Sequence, residues 1–430
     1  MSLLNYNDFL VKESFSFDTV LNEGGAYGHL QHPFDDFKLS MEDLKDMINT
    51  TVEGAFTPDN FVQEKTDGQN IMISWKDGKL IAARNKSHLK DAGANALDSA
   101  ALASLFAGRG DIETAYNAAM KDLTSSIGKL SDADKEKFFA NGKKFASVEI
   151  ITPVTQNTVP YGQNMLIFHG VVEHDASGAP VGEDKQAGRD LGKLITDANL
   201  AAQETFFVRG PQDIASKPFP DTAKRKSYYD SKLSSIMKDS ACTLSSTVGD
   251  YALGMGKRIL AEEAAKAKIE LPEISLDGLA RRIADIDKSY TASMIKKELS
   301  PEAVAWFTNM EKSRAKELKR KVYAPLENLF IEVGTEMMKN MSAFLSANPT
   351  AAAETMRKEI DKSIASIRKD GGPAEIEKLE HELSRVSAAG GIESIVPTEG
   401  ITFFYKGTLY KYTGIFAPLH QIRSMVAYKK

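Results

Sequence analysis

Cysteine and tryptophan are scarce in this chain. Its 430 residues include a single cysteine, Cys242, and two tryptophans. One thiol cannot form an internal disulfide, and it excludes metal sites built from several cysteines. Such low cysteine usage is typical of proteins in a reducing compartment, so we expect a cytoplasmic location.

Long apolar runs are missing as well, and none approaches the length needed to cross a bilayer. The first ten residues lack the basic start and apolar core of a secretory signal, so we expect no signal peptide and no membrane partner. The net charge of −5 provides no overall attraction to nucleic acid. Any nucleic-acid contact must therefore come from a local basic surface.

What remains is the composition of a globular protein, with 42% hydrophobic and 26% charged residues. Residues 1–175 mix strand and helix patterns, residues 176–392 are mostly helical, and residues 393–430 return to strands. The fold class that we predict is α+β. Its core consists of antiparallel sheets with flanking helices, formed by the first and last regions, and the helical region is a long insertion between them.

Local signals support this division in the first region. Ser40 precedes an amphipathic segment as a helix N-cap. Lys76-Asp77-Gly78-Lys79 predicts the turn of a hairpin over Ile71–Arg84. Phe145–Ile151 and Met165–Val172 are apolar, β-branched runs that indicate buried strands.

The later regions carry similar signals. Ser300-Pro301-Glu302 is a strong helix start, because it combines an N-cap, a proline and an acid in the first turn. Pro325 should kink or break the helix that contains it. Strands are expected from Ile395 to Ala427, including a hairpin of Gly400–Tyr405 and Leu409–Thr413.

The most informative segment is Glu64-Lys65-Thr66-Asp67-Gly68-Gln69-Asn70, where Lys65 opens a predicted hairpin between two strand-like runs. Gly68 lets the backbone approach a ligand closely, and Asp67 can orient its neighbours by hydrogen bonding. The Lys65 amine could attack a nucleotide α-phosphate if burial or nearby cations lower its pKa. An ordinary surface turn is the alternative interpretation.

Four further residues stand out on the predicted strands. Glu149 lies on an apolar strand, where an unpaired acid would be costly. Phe168 follows on the next strand and could stack on a base. Glu399 begins a later strand, and Lys411 lies on its hairpin partner. The structural alternatives are a hydrogen-bond network for Glu149, a core position for Phe168 and a lysine partner for Glu399.

Taken in order, these segments resemble the covalent nucleotidyltransferase superfamily, which contains ATP-dependent DNA and RNA ligases and mRNA-capping guanylyltransferases. Lys65-Thr66-Asp67-Gly68 resembles motif I, and Glu64 and Asn70 resemble its RNA-ligase version. The later motifs follow in the family's order: Arg84 resembles motif Ia, Glu149 motif III, Phe168 motif IIIa, Glu399-Gly400 motif IV and Lys411 motif V.

The resemblance implies a ligase adenylation fold that uses ATP and Mg²⁺. Lys65 would attack ATP and carry AMP as a lysyl phosphoramidate, Glu399 would position the metal, and Lys411 would neutralise the α-phosphate. The remaining matched residues would bind the nucleotide. Glu149 would hold the ribose, Phe168 would stack on adenine, Arg84 would hold the ribose or phosphate edge, Asn70 would support Glu399, and Glu64, Asp67 and Gly68 would complete the pocket.

The activity implied by the resemblance is that of an RNA-ligase-like polynucleotide ligase. AMP would pass from Lys65 to a 5′-phosphate end of RNA or DNA, and a 3′-hydroxyl would then displace it. Motif V departs from the family's Lys-x-Lys pattern, because only Lys411 is present, and no oligonucleotide-binding domain is expected after Lys430. The single lysine bears on the second, end-joining half of the reaction. The expected absence of that domain favours an RNA-ligase-like enzyme over the alternatives of a DNA ligase or a capping enzyme. The arrangement of a compact ligase core with a large insertion is similar to that of bacteriophage enzymes, which would act in the host cytoplasm. A non-sealing nucleic-acid-binding or assembly protein is the alternative from another class.

Two other groups have open interpretations. His29, His32, Asp35 and Asp36 could hold a metal, although a turn is the preferred interpretation. The basic run of the helical region could bind phosphate, but interleaved Glu311 and Glu317 favour a solvated helix face. The run comprises Lys312, Arg314, Lys316, Lys319, Arg320 and Lys321. We expect His169 and His420 to be partners of backbone groups.

Overall fold

The protein is α+β, with two largely antiparallel sheets and many helices. The computed structural model describes residues 30–56, 62–155, 158–199, 205–211, 213–214, 216–287, 289–345, 349–406 and 408–427. All structural statements below concern these residues. His29, named above as a possible metal ligand, lies outside the described residues.

Sheet A, as we name the smaller sheet, has the strand order β10-β9-β1-β8. Its strands are β1 (Val62–Lys65), β8 (Asp213–Ile214), β9 (Gly400–Tyr405) and β10 (Thr408–Tyr412). Sheet B has the order β3-β2-β4-β5-β6, and β7 (Phe207–Arg209) pairs in parallel with β5. Its other strands are β2 (Gln69–Lys76), β3 (Lys79–Ala83), β4 (Lys144–Ile151), β5 (Met165–His174) and β6 (Pro180–Asp184).

The segment that contains Lys65 is not a hairpin, in contrast to the prediction. β1 pairs with β8 and β9 in sheet A, whereas β2 pairs with β3 and β4 in sheet B. The short connection from Thr66 to Gly68 therefore crosses from one sheet to the other. Pairing with strands distant along the chain overrides the local turn signal, and it places the two sheets on either side of the Lys65 segment.

The hairpin predicted after this segment is confirmed. Lys76 pairs with Lys79, and Asp77 and Gly78 have φ angles of 49° and 78°. Positive φ at both central residues is the geometry that Asp-Gly favours in two-residue hairpins. Ser40 is confirmed as an N-cap, since its hydroxyl accepts a hydrogen bond from the Asp43 amide.

Helices cover one face of sheet B and most of sheet A. Those before β4 are α1 (Met41–Glu53), α2 (Lys90–Gly93), α3 (Ser99–Phe106), α4 (Asp111–Gly128) and α5 (Asp132–Phe139). The later ones are α6 (Lys185–Asn199), α7 (Thr222–Asp239), α8 (Val248–Ala267), α9 (Glu273–Ile283), α10 (Ala292–Glu298), α11 (Pro301–Leu345), α12 (Pro349–Asp370), α13 (Pro373–Ala388) and α14 (Phe416–Ala427). Short 3-10 helices occur at Pro33–Asp35, Lys86–Leu89, Ala140–Gly142 and Ile392–Ser394.

The helical region begins later than residue 176, and it shares a core with the strands. β6, β7 and β8 all lie between residues 180 and 214. β8 is a strand of sheet A, and β6 and β7 are strands of sheet B. Ile401, Phe403 and Tyr412 of sheet A pack in one apolar cluster with Phe330 and Leu326 of α11. The helices after β8 thus support sheet A directly, together with α1, whose Met47 and Val52 belong to the same cluster.

Pro325 does not break its helix, because α11 runs unbroken from Pro301 to Leu345. A proline inside a helix loses one hydrogen bond and costs about 3 kcal/mol. Val322, Leu326 and Phe330 around it are fully buried or nearly so. Burial of this apolar stripe outweighs the local cost, since tertiary packing supplies most of the stability of a helix.

The end of the chain also differs from the predicted strands. Phe416–Ala427 forms α14, whose Leu419 and Ile422 are fully buried against α12 and α13. Residues three apart share one side of a helix, so this spacing suits a helix better than a strand. Within the described ranges, no helix combines the length and apolar character that a bilayer crossing requires.

Candidate active site

The facing sides of the two sheets carry most of the predicted site residues. In sheet A, Lys411 pairs with Thr402 and Thr402 with Gln63, so Lys411 and Lys65 project on the same side. In sheet B, Glu149 pairs with Asn70, which also places their side chains on one face. The opposite faces of both sheets are apolar and packed against helices. We call the space between the polar faces the cleft.

Lys65 and Glu399 form an ion pair at the base of the cleft. The Lys65 Nζ donates to Glu399 Oε1, and the side chains are only 19% and 17% exposed. Lys65 ends β1 directly opposite Gly400, and Glu399 precedes that glycine. Strand pairing therefore brings together two residues that are 334 positions apart.

Burial and mutual attraction act in opposite directions on this pair. Burial raises the pKa of Glu399 to about 7, although the Lys65 charge partly opposes this. Burial lowers the pKa of Lys65, but attraction to Glu399 and Glu149 outweighs it and holds that pKa above its usual value. The amine is consequently protonated while Glu399 remains its partner, and a ligand that binds Glu399 would free it.

Glu149 is anchored by three partners, two from the Thr66–Gly68 connection and one from β5. Its carboxylate accepts hydrogen bonds from the Thr66 hydroxyl and, at 2.6 Å, from the Gly68 amide. His169 Nε2 lies 2.8 Å from the same carboxylate. Burial raises the pKa of Glu149, but these partners and Lys65 outweigh it, so the pKa is lowered. Glu149 thus stays ionised within the cleft.

Gly68 is required by the close packing of this connection. A Cβ atom there would lie 2.7 Å from Ile151 Cγ1, 2.8 Å from Glu149 Cγ and 2.8 Å from the Ile150 carbonyl oxygen. Backbone and a β-branched side chain cannot move aside cheaply. In the structure the close approach at Gly68 is to β4, and its approach to a ligand stays a prediction.

Asp67 and Glu64 support the connection from behind the cleft. Asp67 Oδ2 accepts hydrogen bonds from the amides of Thr158 and Val159, at 2.7 and 2.9 Å. Glu64 forms an ion pair with Arg209 at 2.9 Å. Burial raises the pKa of Glu64 despite Arg209. In this structure both acids position the backbone around Lys65.

Lys411 is the second cation of the cleft. Burial, aided by the charge of Lys65, lowers its pKa to about 8. Its amide donates to the Gln31 carbonyl at 3.0 Å, which places His32 and Asp35 beside it. Burial lowers the pKa of His32 well below its usual value, with Lys411 and Lys65 adding to the effect, so His32 is neutral.

The His32 and Asp35 segment is a turn, as preferred from the sequence. The His32 amide donates to Asp35 Oδ2 at 3.1 Å and caps the 3-10 helix Pro33–Asp35. Burial raises the pKa of Asp35 to about 6. Among the described residues, no cluster of three or more His, Cys, Asp or Glu side chains could hold a metal ion by itself.

Asn70 and Arg84 stabilise sheet B. Asn70 Nδ2 donates to Ser147 Oγ at 2.8 Å, next to Glu149. The Arg84 guanidinium donates to the Asn70 carbonyl and lies 5.6 and 5.3 Å from the ring centres of Phe106 and Tyr116. Those rings belong to the core on the opposite face of the sheet. Arg84 therefore points toward the helices, which differs from its predicted contact with ribose or phosphate.

Phe168 also faces away from the cleft. Its side chain is fully buried among Val148, Ala146 and Leu123. A ring in this position cannot stack on a bound base without repacking the core, so the structure favours the core alternative. The next residue, His169, points to the cleft instead and contacts Glu149 rather than a backbone group.

A cavity of about 380 Å³ lies between the two sheets. Its apolar walls include Met72 and Val172 of sheet B and Leu409 of sheet A. Met72 is two residues from Asn70 and Leu409 two residues from Lys411, so the cavity adjoins the charged part of the cleft. His174 also lines it, and its buried Nδ1 has no hydrogen-bond partner among the described residues.

Several residues of the site were not predicted from the sequence. Thr66, His169, Arg209 and His174 all contact or line it. Thr66 lies inside the Lys65 motif and His169 follows Phe168, so position next to a predicted residue was the only available signal. Arg209 and His174 depend on strand pairing that the sequence pattern does not reveal.

No protein-family model matches the chain, and no curated protein matches it either. The assignment of the site therefore depends on its geometry and on the resemblance of its motifs.

The placement of Phe168 leads to a test of its role. We expect Phe168→Ala to lower the free energy of unfolding by about 3–5 kcal/mol, because it opens a cavity in the core. Phe207→Ala, at a side chain that is 46% exposed, is the control and should change stability far less. Urea denaturation measures both values. Equal, small effects of the two substitutions would contradict a core role for Phe168.

Proposed function

We propose that the protein is an ATP-dependent nucleotidyltransferase that forms a lysyl-AMP intermediate on Lys65. In this proposal it is an RNA-ligase-like polynucleotide ligase that passes AMP to a 5′-phosphate end and joins that end to a 3′-hydroxyl. The observation that carries the proposal is the meeting of Lys65, Glu399, Glu149 and Lys411 in one cleft. These residues come from distant parts of the chain, and chance alone rarely gathers two lysines and two acids that are all buried or largely buried.

The first step would form an N–P bond between the Lys65 amine and the α-phosphorus of ATP. The bond from that phosphorus to the pyrophosphate oxygen breaks, pyrophosphate leaves, and the attacking nitrogen passes one proton to solvent. Charge builds on the α-phosphate oxygens as this happens, and Lys411 is the cation placed to neutralise it. Lys65 must be neutral to attack, so its pairing with Glu399 has to be released first.

Glu399 fits the role of metal ligand that the resemblance implies. Mg²⁺ in nucleotide sites is usually held by one or two carboxylates together with the substrate phosphates. A single buried carboxylate next to the nucleophile meets that need without an all-protein metal cluster. Bound Mg²⁺ would supply positive charge to the phosphates and the leaving pyrophosphate. Engagement of Glu399 would also remove the attraction that raises the Lys65 pKa.

The cavity offers a place for the base. Met72, Val172 and Leu409 would contact its faces, replacing the aromatic ring expected from Phe168. Burial lowers the pKa of His174, so its imidazole is neutral and its free Nδ1 can form a hydrogen bond with a polar edge of the base. Glu149, held ionised beside Lys65, is positioned to accept hydrogen bonds from the ribose hydroxyls.

Covalent labelling tests the proposal. Incubation with ATP labelled at the α-phosphate should transfer label to the protein, and the adduct should be acid-labile as expected of a phosphoramidate. Lys65→Ala should remove the label completely, because the nucleophile is lost. Lys238→Ala, at an exposed lysine of α7, is the matched control. An unlabelled wild type, or equal labelling of Lys65→Ala, would overturn the proposal, and labelled GTP in parallel separates a ligase from a guanylyltransferase.

A sealing assay addresses the second half of the reaction. We expect the enzyme to convert 5′-phosphorylated RNA into joined product, with adenylated RNA as an intermediate. Nicked DNA duplexes and single-stranded ends provide the comparison. Lysyl-AMP formation without any sealing would instead support the non-sealing alternative, which the single lysine of motif V suggests.

The two lysines predict an unusual pH dependence. Lys65 must be neutral and Lys411 charged, yet the pKa of Lys65 is raised and that of Lys411 lowered to about 8. Below pH 8, neutral Lys65 increases about tenfold per pH unit while Lys411 stays charged, so kcat/KM for adenylation should rise. Above pH 8, loss of charge on Lys411 offsets the gain, and kcat/KM should level off.

Lys411→Arg supplies the control for this profile. Arginine keeps its charge at every accessible pH, so the rise in kcat/KM should continue beyond pH 8 whatever the absolute rate of the variant. Stopped-time labelling between pH 6.5 and 9.5 measures both curves. A plateau at the same pH in wild type and Lys411→Arg would show that Lys411 does not set it.

A further inference from the structure

Four basic side chains gather between α11 and α13. Lys316 and Arg320 are four residues apart and exposed on one side of α11. Lys378 and His381 are three residues apart and half-buried on one side of α13. The helices pack against each other, with Arg385 of α13 joined to Glu327 of α11 by an ion pair. We call these four residues the basic cleft.

The charges of the basic cleft act on one another. Burial lowers the pKa of Lys378, and the charges of Arg320 and Lys316 lower it further. Burial also lowers the pKa of His381 to about 4, with Arg320 and Arg385 contributing. His381 is therefore uncharged at neutral pH. Arg320 precedes Glu327 by seven residues and Lys378 precedes Arg385 by seven, so both lie on the helix faces that the Glu327–Arg385 ion pair brings together. The like charges of Lys316, Arg320 and Lys378 are unfavourable together unless an anion joins them.

The basic cleft differs from the rest of the basic run. Arg314 is bound to Glu263 and Glu317, Lys319 to Asp285, and Lys321 to Glu317. In the described part of the chain, by contrast, no carboxylate forms an ion pair with any of the four residues of the basic cleft. Glu382 attracts Lys378, but its carboxylate is bound by Arg385. Lys316 and Arg320 are exposed, as the solvated-face interpretation predicts, but they lack the carboxylate partners that Arg314, Lys319 and Lys321 have.

The basic cleft leads toward the candidate active site. Arg385 is seven residues after Lys378, which corresponds to about 10 Å along α13. The charge of Arg385 lowers the pKa of His32, and His32 also feels Lys411 and Lys65. Arg385 and His32 thus lie between the basic cleft and Lys411, but Arg385 is paired with Glu327 and Glu382 and His32 is neutral. The charges of the basic cleft therefore form a separate patch on the way to the lysines of the cleft.

We propose that the basic cleft binds the phosphate backbone of the polynucleotide strand whose end reaches the active site. The inference rests on the proposed function and extends it, because it assigns a substrate surface to the helical region. A strand suits the site better than a free nucleotide, since the positive groups extend well beyond the cleft. Phosphate contacts of this kind position a strand without reading its sequence.

Binding of single-stranded RNA tests the inference. The variant Lys316→Gln/Arg320→Gln removes two exposed charges. Its control, Lys362→Gln/Lys369→Gln, removes two exposed charges from α12. The probe is a 5′-phosphorylated RNA with a 3′ fluorophore, followed by anisotropy at several salt concentrations. DNA of the same length is measured in parallel.

The basic-cleft variant should bind RNA at least about tenfold more weakly than wild type. The slope of log affinity against log salt should decrease by about 1.4, corresponding to two lost phosphate contacts on a single strand. DNA should lose affinity by a similar factor, and the control should resemble wild type. Thermal unfolding verifies that the variants fold, and Lys378→Gln on the other helix should weaken binding independently.

The inference is overturned if wild type does not bind RNA, or if the basic-cleft variant matches the control in affinity and slope. Lysyl-AMP formation, measured on the same samples, separates this outcome from failure of the proposed function. Absence of lysyl-AMP with a preserved loss of RNA binding would contradict the enzyme and leave the surface assigned. Normal lysyl-AMP with unchanged RNA binding would contradict the surface alone.

Discussion

The ion pair between Lys65 and Glu399 is the contact on which the candidate site depends. It joins the end of β1 to the start of β9, and it forms because these strands pair although they are 334 residues apart. A buried ion pair is weak evidence for stability, because desolvation of both charges offsets their attraction. In the function that we propose, the pair has a chemical role: Lys65 is kept protonated until a ligand engages Glu399.

The two acids beside Lys65 are held in different states by their surroundings. Glu149 receives hydrogen bonds from Thr66, Gly68 and His169, and its pKa is lowered. Glu399 has the lysine as its main partner, and burial raises its pKa to about 7. Environments that separate the pKa values of neighbouring acids commonly accompany distinct roles. Here one acid suits a fixed hydrogen-bond acceptor, and the other suits a group that changes partners.

Sequence patterns predicted much of the local structure and the main charged residues. The Asp-Gly turn after β2, the strands around Glu149 and the pairing of β9 with β10 follow from local chemistry, and all are present. The direction in which the Phe168 side chain points could not be predicted, because it depends on which face of β5 the helices cover. The crossing between sheets at Thr66–Gly68, the strands β6 to β8 and the continuity of α11 at Pro325 likewise depend on contacts between distant segments. The helix Phe416–Ala427 likewise depends on the packing of Leu419 and Ile422 against distant segments.

In the proposed reaction the Lys65 amine forms a covalent bond to AMP. Peptide mapping by mass spectrometry, after incubation of the native protein with Mg²⁺ and ATP at neutral or higher pH, detects this bond. We expect a single adenylated peptide, with the added mass on Lys65 and none on Lys411. An adduct on a different residue, or an unmodified Lys65 peptide in protein that binds ATP, would contradict it.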